Sequence, residues 1–145
     1  MKNRALYMNG KLNLAFKELD IPKPQPGEVL LKVGYCGVCG SDVHFYESGC
    51  IGATPIKGDL ILGHEAAGTV EAVGEGVTNV KVGDRVVLEP GIGCGHCEYC
   101  KSGRYNLCPD MQFISCPPYQ GAMRNYITHP AHLVYPLPEY VSTLE

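Results

Sequence analysis

Four cysteines near the middle of the chain have the spacing of a metal site. Cys94, Cys97, Cys100 and Cys108 follow the pattern Cys-x2-Cys-x2-Cys-x7-Cys. Short Cys-x2-Cys turns bring sulfur atoms within reach of one tetrahedral zinc ion, and four thiolates leave no ligand position for water. The pattern therefore predicts a structural zinc site. A disulfide pair and an iron–sulfur cluster remain alternatives, the second because Pro109 follows the last cysteine.

A second set of possible metal ligands is spread along the chain. Cys39 follows the strand-like segment 28–35, whereas His64 and Glu65 precede another strand-like segment. Three protein ligands and a water molecule make a catalytic zinc site. Spacing alone also permits core positions for these residues, or a redox pair of Cys36 and Cys39. Because successive strand residues point to opposite faces, His64 and Glu65 reach one ion only if the backbone is irregular or if they take turns.

The composition limits the classes of function. The chain has 145 residues, with 12 Lys+Arg, 15 Asp+Glu and a formal net charge of -3. Without a basic cluster, we expect no binding to nucleic acid or to an anionic membrane. The chain has eight cysteines, and its N-terminus lacks the pattern of a signal peptide. This combination favours reduced, metal-binding thiols over a disulfide scaffold, and we expect a cytoplasmic protein.

Short strands must position these residues. Apolar or alternating runs predict strands at 4–8, 12–19, 28–35, 66–74, 84–89, 122–128 and 132–135, and the dipeptide Asn9-Gly10 predicts a hairpin turn. A short helix is predicted at 42–47, with Ser41 as its N-cap, and a helix start at 138–145. About seven short strands predict a mainly β barrel or sandwich.

The segment 91–121, which we call the metal lobe, has no hydrophobic periodicity. A segment without its own core needs another source of order. Structural zinc contributes about 10–16 kcal/mol in zinc-finger peptides, which is enough to order such a segment. We therefore expect zinc to hold the metal lobe together, with His96 as a solvated loop residue.

Three sequence blocks resemble a known family. GYCGVCGSDVHFY, GHEAAGTVEAVG and GDRVVLEPGIGCGHCEYCKSGRYNLC are similar, in order and spacing, to the catalytic domain of zinc-dependent medium-chain dehydrogenases. The closest resemblance is to the polyol branch, sorbitol or xylitol dehydrogenase, and it runs from about residue 4 to residue 145. It implies a GroES-like, partly closed β-barrel with short helices and a zinc-stabilised loop lobe.

The resemblance also implies an activity. A full-length enzyme of this family oxidises a secondary alcohol of a small polyol to a ketone, by hydride transfer to NAD or NADP. The full-length enzyme is expected to be a homo-oligomer. Threonine and butanediol dehydrogenases share the motifs, so the resemblance leaves the substrate and the choice between NAD and NADP open.

The same resemblance implies two zinc ions. Cys39, His64 and Glu65 match the ligands of the catalytic zinc. The structural zinc is matched by Cys94, Cys97, Cys100 and Cys108.

Further residues match the proton relay and the substrate pocket. Ser41 matches the hydroxyl that receives the substrate proton, and His44 matches the solvent end of the relay. Asp42 matches the carboxylate that orients the ligand histidine. The substrate pocket is matched by Phe45, Tyr46 and Phe113. In the alternative interpretations Ser41 only caps a helix, Asp42 and His44 lie on a solvated face, and Tyr46 and Phe113 are core residues.

The sequence does not contain a complete dinucleotide-binding motif. Gly74 and Gly76 give only the first two glycines of Gly-x-Gly-x-x-Gly, and no helical pattern follows them. We therefore expect residues 1–145 to be a GroES-like catalytic domain whose Rossmann cofactor domain lies outside this chain, and expect the chain alone to be inactive. Two other classes stay open: a zinc-stabilised β-barrel that only binds a partner, and a redox-sensing thiol protein.

Overall fold

The computed structural model describes residues 2–145. The helices are α1 (Gly40–Ser48) and α2 (Glu98–Lys101), with 3-10 turns at Tyr105–Leu107 and Ala131–Leu133. The strands are β1 (Asn3–Met8), β2 (Leu14–Leu19), β3 (Glu28–Gly37), β4 (Cys50–Ile51), β5 (Thr54–Pro55), β6 (Leu60–Ile61), β7 (Glu65–Val73), β8 (Arg85–Leu88), β9 (Gly91–Ile92), β10 (Gln112–Phe113), β11 (Tyr126–Pro130) and β12 (Val134–Pro136).

The first two strands form the predicted hairpin. β1 and β2 pair antiparallel, and Met8 lies opposite Leu14 at the turn end. The turn uses Gly10 at a φ of 86° and Leu12 at a φ of 56°. A positive φ takes Leu12 out of the extended conformation, so β2 begins at Leu14 instead of residue 12. β6 pairs with the other edge of β1 and completes a three-stranded sheet.

A five-stranded sheet carries the main core. Its strand order is β11-β3-β7-β8-β12, and every neighbouring pair is antiparallel. β3 pairs with β7 from Val29 opposite Val73 to Gly37 opposite Glu65. Alternate residues of these strands face the core, where Val29, Val70 and Val86 are almost fully buried. The central strands therefore end beside each other at Gly37 and Glu65.

The strands do not close into one barrel. Within residues 2–145 they form sheets of five, three, two and two strands, and an isolated bridge links Ala5 to Arg124. The mainly β, partly closed architecture predicted from the sequence is confirmed. In the same residues no helix is long and apolar enough to cross a membrane.

Two further predicted strands also start later than expected, and the one predicted at 132–135 begins at Val134, after the 3-10 turn Ala131–Leu133. The segment 122–128 is extended only from Tyr126, where β11 begins. Before it, the N–H groups of Gly121, Ala122 and Met123 donate to the carbonyls of Ile61, Gly63 and Leu62. These hydrogen bonds hold residues 121–123 against residues 61–63, so residues 121–123 do not extend the five-stranded sheet.

The predicted helix start at 138–145 is wrong. The guanidinium of Arg85 donates to the backbone carbonyls of Val141, Pro138 and Glu139 at 2.5, 3.1 and 3.1 Å. These carbonyls are the acceptors that a helix would need for its own N–H groups. The tail is instead fixed as a series of turns against β8.

Candidate metal centres

The four cysteines of the metal lobe meet at one point. The sulfur atoms of Cys94, Cys97, Cys100 and Cys108 all lie within 4.8 Å of one another. The Cys94 and Cys100 sulfurs are 4.0 Å apart. This separation is close to the edge of a tetrahedron with 2.3 Å zinc–sulfur bonds, which is about 3.8 Å, and far beyond a disulfide bond.

Backbone hydrogen bonds arrange these sulfurs. The N–H groups of Cys97, Cys100 and Cys94 donate to the sulfurs of Cys94, Cys97 and Cys108, each at 3.4 Å. Cys97 is also the N-cap of α2. A Cβ atom at Gly93 would lie 3.0 Å from the Cys100 sulfur, so glycine leaves room for the cluster. The local chain alone therefore forms the site.

The thiols of this cluster differ in acidity. The backbone N–H groups of His96 and Cys97 lower the pKa of Cys94 to about 6. Burial raises the pKa of Cys100 to about 12. Four thiolates at this distance repel one another, and a divalent cation provides the positive charge that holds all four in the ionised form. The donor set fits a closed zinc site.

The second cluster is assembled by the sheet. Glu65 begins β7 and lies opposite Gly37, the last residue of β3, and Cys39 follows two residues later. Ligand atoms of Cys39, His64 and Glu65 lie within 4.8 Å of one another. The antiparallel register therefore joins residues that are 25 positions apart in the sequence.

Two glycines allow His64 and Glu65 to reach the same point. Gly63 has a φ of 89°, which makes the backbone irregular before β7. A Cβ atom at Gly37 would clash with the Glu65 carboxylate, so the Glu65 side chain folds back across the end of β3. Of the two ways foreseen for these ligands to share an ion, the structure shows the irregular backbone.

Asp42 ties the two ligand-bearing segments together. This residue is 3% exposed, and its carboxylate accepts from the N–H of Cys39 at 3.0 Å and from the N–H of Gly63 at 3.2 Å. The buried hydroxyl of Ser115 donates to it at 3.3 Å. None of its hydrogen bonds within residues 2–145 goes to His64, so Asp42 fixes the backbone at both ligand segments instead of the imidazole ring.

The helix cap also differs from the prediction. α1 begins at Gly40, its N-cap is Cys39, and the Asp42 side chain returns to the Cys39 backbone as in a capping box. Ser41 therefore lies inside the first turn, and it is not the cap. Its hydroxyl is left for the neighbouring cleft.

His64 is placed as a ligand would be. Its Nδ1 atom is buried and has no hydrogen-bond partner within residues 2–145. Its ring packs against Phe113, with centroids 5.3 Å apart and planes inclined at 60°. One sulfur, one nitrogen and one oxygen donor from three residues fit a zinc ion whose fourth position stays open.

A cleft of about 150 Å³ borders this cluster. Ser41, His64, Phe45 and Phe113 line it, so two of the three residues matched to the substrate pocket, Phe45 and Phe113, share one cleft with His64. Tyr46 lies elsewhere, in a separate apolar cleft with Val43 and Met123. Successive residues of a helix point about 100° apart, which explains why Phe45 and Tyr46 face different clefts.

Sequence reasoning missed four other residues that line the same cleft. They come from loops and two-residue strands that carry no recognisable pattern. They are Ile51, Thr54, Ser115 and Cys116.

His44 and Cys36 lie near the cluster of Cys39, His64 and Glu65 but are not part of it. His44 is exposed on α1, three residues after Ser41. Burial raises the pKa of the Cys36 thiol to about 11, so it stays protonated at neutral pH. A protonated thiol is a poor nucleophile, which disfavours a redox pair with Cys39. All eight cysteines are free.

Comparisons with known proteins identify the family. The profile of the alcohol dehydrogenase GroES-like domain matches residues 25–139. The chain belongs to this family. It is 46% identical over 139 residues to a sorbitol dehydrogenase of Bacillus subtilis, covering 96% of this chain and 39% of that protein. It is 44% identical over 145 residues to a probable D-xylulose reductase A of Emericella nidulans, covering 99% and 40%.

A solved structure has the same fold as this GroES-like domain. It is described as a short chain alcohol dehydrogenase of Escherichia coli complexed with NADH, and it is 34% identical with a TM-score of 0.87. The match covers 98% of this chain and 40% of that one. The chain thus spans about two fifths of the length of the relatives it matches.

Proposed function

We propose that this GroES-like domain is the catalytic domain of a zinc-dependent dehydrogenase that oxidises a secondary alcohol of a small polyol to a ketone, with NAD or NADP as hydride acceptor. The observation that carries the proposal is the open three-ligand cluster of Cys39, His64 and Glu65 beside a cleft that contains a serine hydroxyl. The names of the sorbitol dehydrogenase and D-xylulose reductase relatives support the substrate class.

The chain's own residues would manage the substrate proton. When bound, zinc supplies a Lewis acid that makes an alcohol easier to deprotonate. The Ser41 hydroxyl, on the wall of the cleft, accepts the proton of the substrate hydroxyl. Ser41 and His44 are neighbours on one face of α1, and the exposed His44 passes the proton to solvent.

Asp42 and the aromatic residues prepare the cleft. Asp42 holds the Cys39 and Gly63 backbones at a fixed separation, which keeps Cys39 and His64 in register. Phe45 and Phe113 exclude water from the side of the cleft next to His64. Exclusion of water strengthens the electrostatic interactions made inside the cleft.

We also propose that the nicotinamide cofactor is held by residues outside 1–145. Within residues 2–145 every strand pair is antiparallel, whereas a dinucleotide-binding unit uses parallel strands joined by a helix. The NADH complex of the solved relative supports a nicotinamide partner.

A chimera tests this function. Residues 1–145 are joined to the remainder of the Bacillus subtilis sorbitol dehydrogenase, and reduction of NAD or NADP is followed by absorbance with a panel of polyols. We expect turnover by the chimera and none by residues 1–145 alone. Turnover by the isolated 145 residues would contradict the assignment of the cofactor site.

Variants of the chimera test the proton relay. Ser41→Ala should lower the turnover rate by about 10²–10⁴-fold with zinc content unchanged, since positioned proton transfer contributes that much. His44→Ala should cost less, because water can replace the outer end of the relay. Ser48→Ala, on the same helix but outside the cleft, is the control. If both relay variants keep full turnover, the proton takes another route.

A further inference from the structure

A second group of ligand atoms adjoins the four-cysteine cluster. Cys94, His96 and Asp110 bring one ligand atom each within 4.8 Å of one another. His96 and Asp110 are exposed, whereas Cys108 is buried and the other three cysteines are half-buried. The group therefore lies on the solvent side of the cluster and shares the Cys94 sulfur with it.

A backbone hydrogen bond sets the tautomer of the His96 imidazole. Its Nδ1 atom lies 2.9 Å from the Cys94 carbonyl oxygen. A carbonyl only accepts hydrogen bonds, so Nδ1 carries the proton and the neutral ring presents its lone pair at Nε2. A hydrogen bond from one ring nitrogen to a backbone carbonyl is the usual support of a metal-ligating histidine.

The carboxylate of Asp110 is not used elsewhere. Within residues 2–145 it forms no ion pair and no side-chain hydrogen bond. Asp110 follows Cys108 by two residues, and the N–H of Met111 returns to the Cys108 carbonyl at 3.3 Å. This turn places an anionic oxygen next to the cysteine cluster. Sulfur, imidazole and carboxylate are all donors that zinc accepts.

A closed four-thiolate site poses a problem of exchange. Its four ligands leave no position at which an incoming ion or water molecule can bind. A dissociative exchange would break several zinc–sulfur bonds before any new bond forms. A neighbouring group that shares one sulfur allows the incoming ion to bind first.

We propose that Cys94, His96 and Asp110 form a docking site for a second zinc ion, through which the zinc of the four-cysteine cluster exchanges. An incoming hydrated ion would release water to solvent as Asp110, His96 and the Cys94 thiolate bind it. The sulfurs of Cys97, Cys100 and Cys108 transfer one at a time to the incoming ion. The outgoing ion would take up water as each sulfur leaves it, with Cys94 leaving last, and the incoming ion would release His96 and Asp110 as it gains the four sulfurs, so that no proton or electron is gained or lost.

Isotope exchange tests the docking site. The whole chain carries Cys39→Ser, which removes the other cluster, and is loaded with zinc and mixed with radioactive zinc at several free concentrations. We expect the exchange rate to rise in proportion to free zinc. His96→Ala and Asp110→Asn should each lower the slope of the exchange rate against free zinc about tenfold. This corresponds to about 1.4 kcal/mol in the activation barrier of exchange.

A matched control separates docking from general charge. Glu98→Gln removes one exposed negative charge from the same lobe, outside the group, and should leave the exchange rate unchanged. Zinc affinity, measured at equilibrium against a chelator, should be the same in all variants. Exchange independent of free zinc, or equal slowing by Glu98→Gln, would overturn the proposal. A lower affinity in His96→Ala with normal exchange would overturn it too, since His96 would then ligate the resident ion.

Discussion

The two metal clusters of this domain are built in opposite ways. In the metal lobe, four ligands come from 15 consecutive residues, and local N–H groups arrange their sulfurs. In the other cluster, Cys39 and His64 come from separate segments that the β3–β7 register and the Asp42 carboxylate bring together. The first cluster depends on its own short segment, and the second depends on the fold.

The difference extends to what each cluster stabilises. Between residues 92 and 113, all of which the structure describes, Cys108 alone is buried. Residues 92–113 therefore have almost no apolar core, and we expect their order to depend on a zinc ion at the four cysteines. The cluster of Cys39, His64 and Glu65 stands at the edge of a sheet whose core is complete without metal. A closed local site thus supports structure, whereas an open distributed site is free to bind a substrate.

Removing one ligand from each cluster gives the largest expected difference. We expect the closed four-thiolate site to hold zinc more tightly than the open three-ligand cluster. Cys97→Ser should release this tightly bound ion and unfold residues 91–121, because structural zinc contributes about 10–16 kcal/mol in zinc-finger peptides. Cys39→Ser should lose only the weaker ion and leave the sheets intact. Zinc analysis after dialysis against a chelator and hydrogen exchange of residues 91–121 measure both effects. If Cys97→Ser keeps its ion and fold while Cys39→Ser loses the tight ion, the two roles are reversed.

Replacement of Gly63, the residue before His64, should disturb only the cluster of Cys39, His64 and Glu65, which we call the distributed cluster. Gly63 has a φ of 89°, and a Cβ atom there would lie 2.6 Å from both the Cys36 sulfur and the Met123 Cγ. Gly63→Ala should lower the free energy of unfolding by about 3 kcal/mol, from overpacking and backbone strain together. Denaturant titration measures this loss, and the zinc of the metal lobe should be retained.

The control for this substitution is Gly76. It has a φ of 80° and nothing within 4 Å of its Cβ position, so Gly76→Ala introduces the backbone strain without the clash. It should cost about 1 kcal/mol. Equal losses in the two variants would mean that close packing around Gly63 does not hold the His64 segment.

A smaller substitution tests whether Glu65 is a ligand. In Gly37→Ala the new methyl group meets the Glu65 carboxylate, which is the end of a flexible side chain and can move away. Stability should change little, while zinc affinity at the distributed cluster should fall about tenfold. Isothermal titration of the Gly37→Ala and Glu65→Gln variants measures the affinity.

The double variant sharpens this test. Gly37→Ala with Glu65→Gln should bind zinc no more weakly than Glu65→Gln alone, because both changes remove the same interaction. Gly40→Ala, with nothing near its Cβ position, is the neutral control. An unchanged affinity in Gly37→Ala would show that Glu65 does not bind the ion.

The sequence predicted the local features of the domain better than the distributed ones. The four-cysteine pattern and the Asn9-Gly10 hairpin depend on residues that are close in the chain, and the structure brings them together as expected. The partners of Asp42 and the conformation of Gly63 depend on contacts with Ser115 and Met123, far along the chain. Such contacts exist only once the sheets have formed, so no local pattern predicts them.

The start of β11 and the course of the tail show the same limit. Residues 121–123 read as a strand, but their N–H groups bond to residues 61–63. The tail reads as a helix start, but the Arg85 guanidinium takes its carbonyls. In both cases the backbone groups form hydrogen bonds with a residue distant in the sequence, and not with the local partners that a strand or a helix would provide.

The smallest expected effect is a loss of stability in acid, caused by the buried His129 of the five-stranded sheet. His129 is 1% exposed, and its Nε2 atom donates to the Glu89 carbonyl at 2.8 Å. Burial lowers the pKa of His129 below its ordinary value. The unfolded chain takes up a proton as the pH falls through about 6.5, whereas the folded imidazole stays neutral. The contribution of the neutral His129 to the free energy of unfolding is therefore fully present above about pH 6.5. It decreases as the pH falls below about 6.5, until the pH reaches the pKa of His129 in the folded state.

Replacement of the imidazole isolates this contribution. In His129→Gln the decrease in the free energy of unfolding between about pH 7 and pH 5 should be smaller than in the wild type, because the titrating group is gone. Denaturant titrations at several pH values measure the slopes. If His129→Gln keeps the full decrease, acid acts on another group, and the sheets do not owe their acid sensitivity to the buried imidazole.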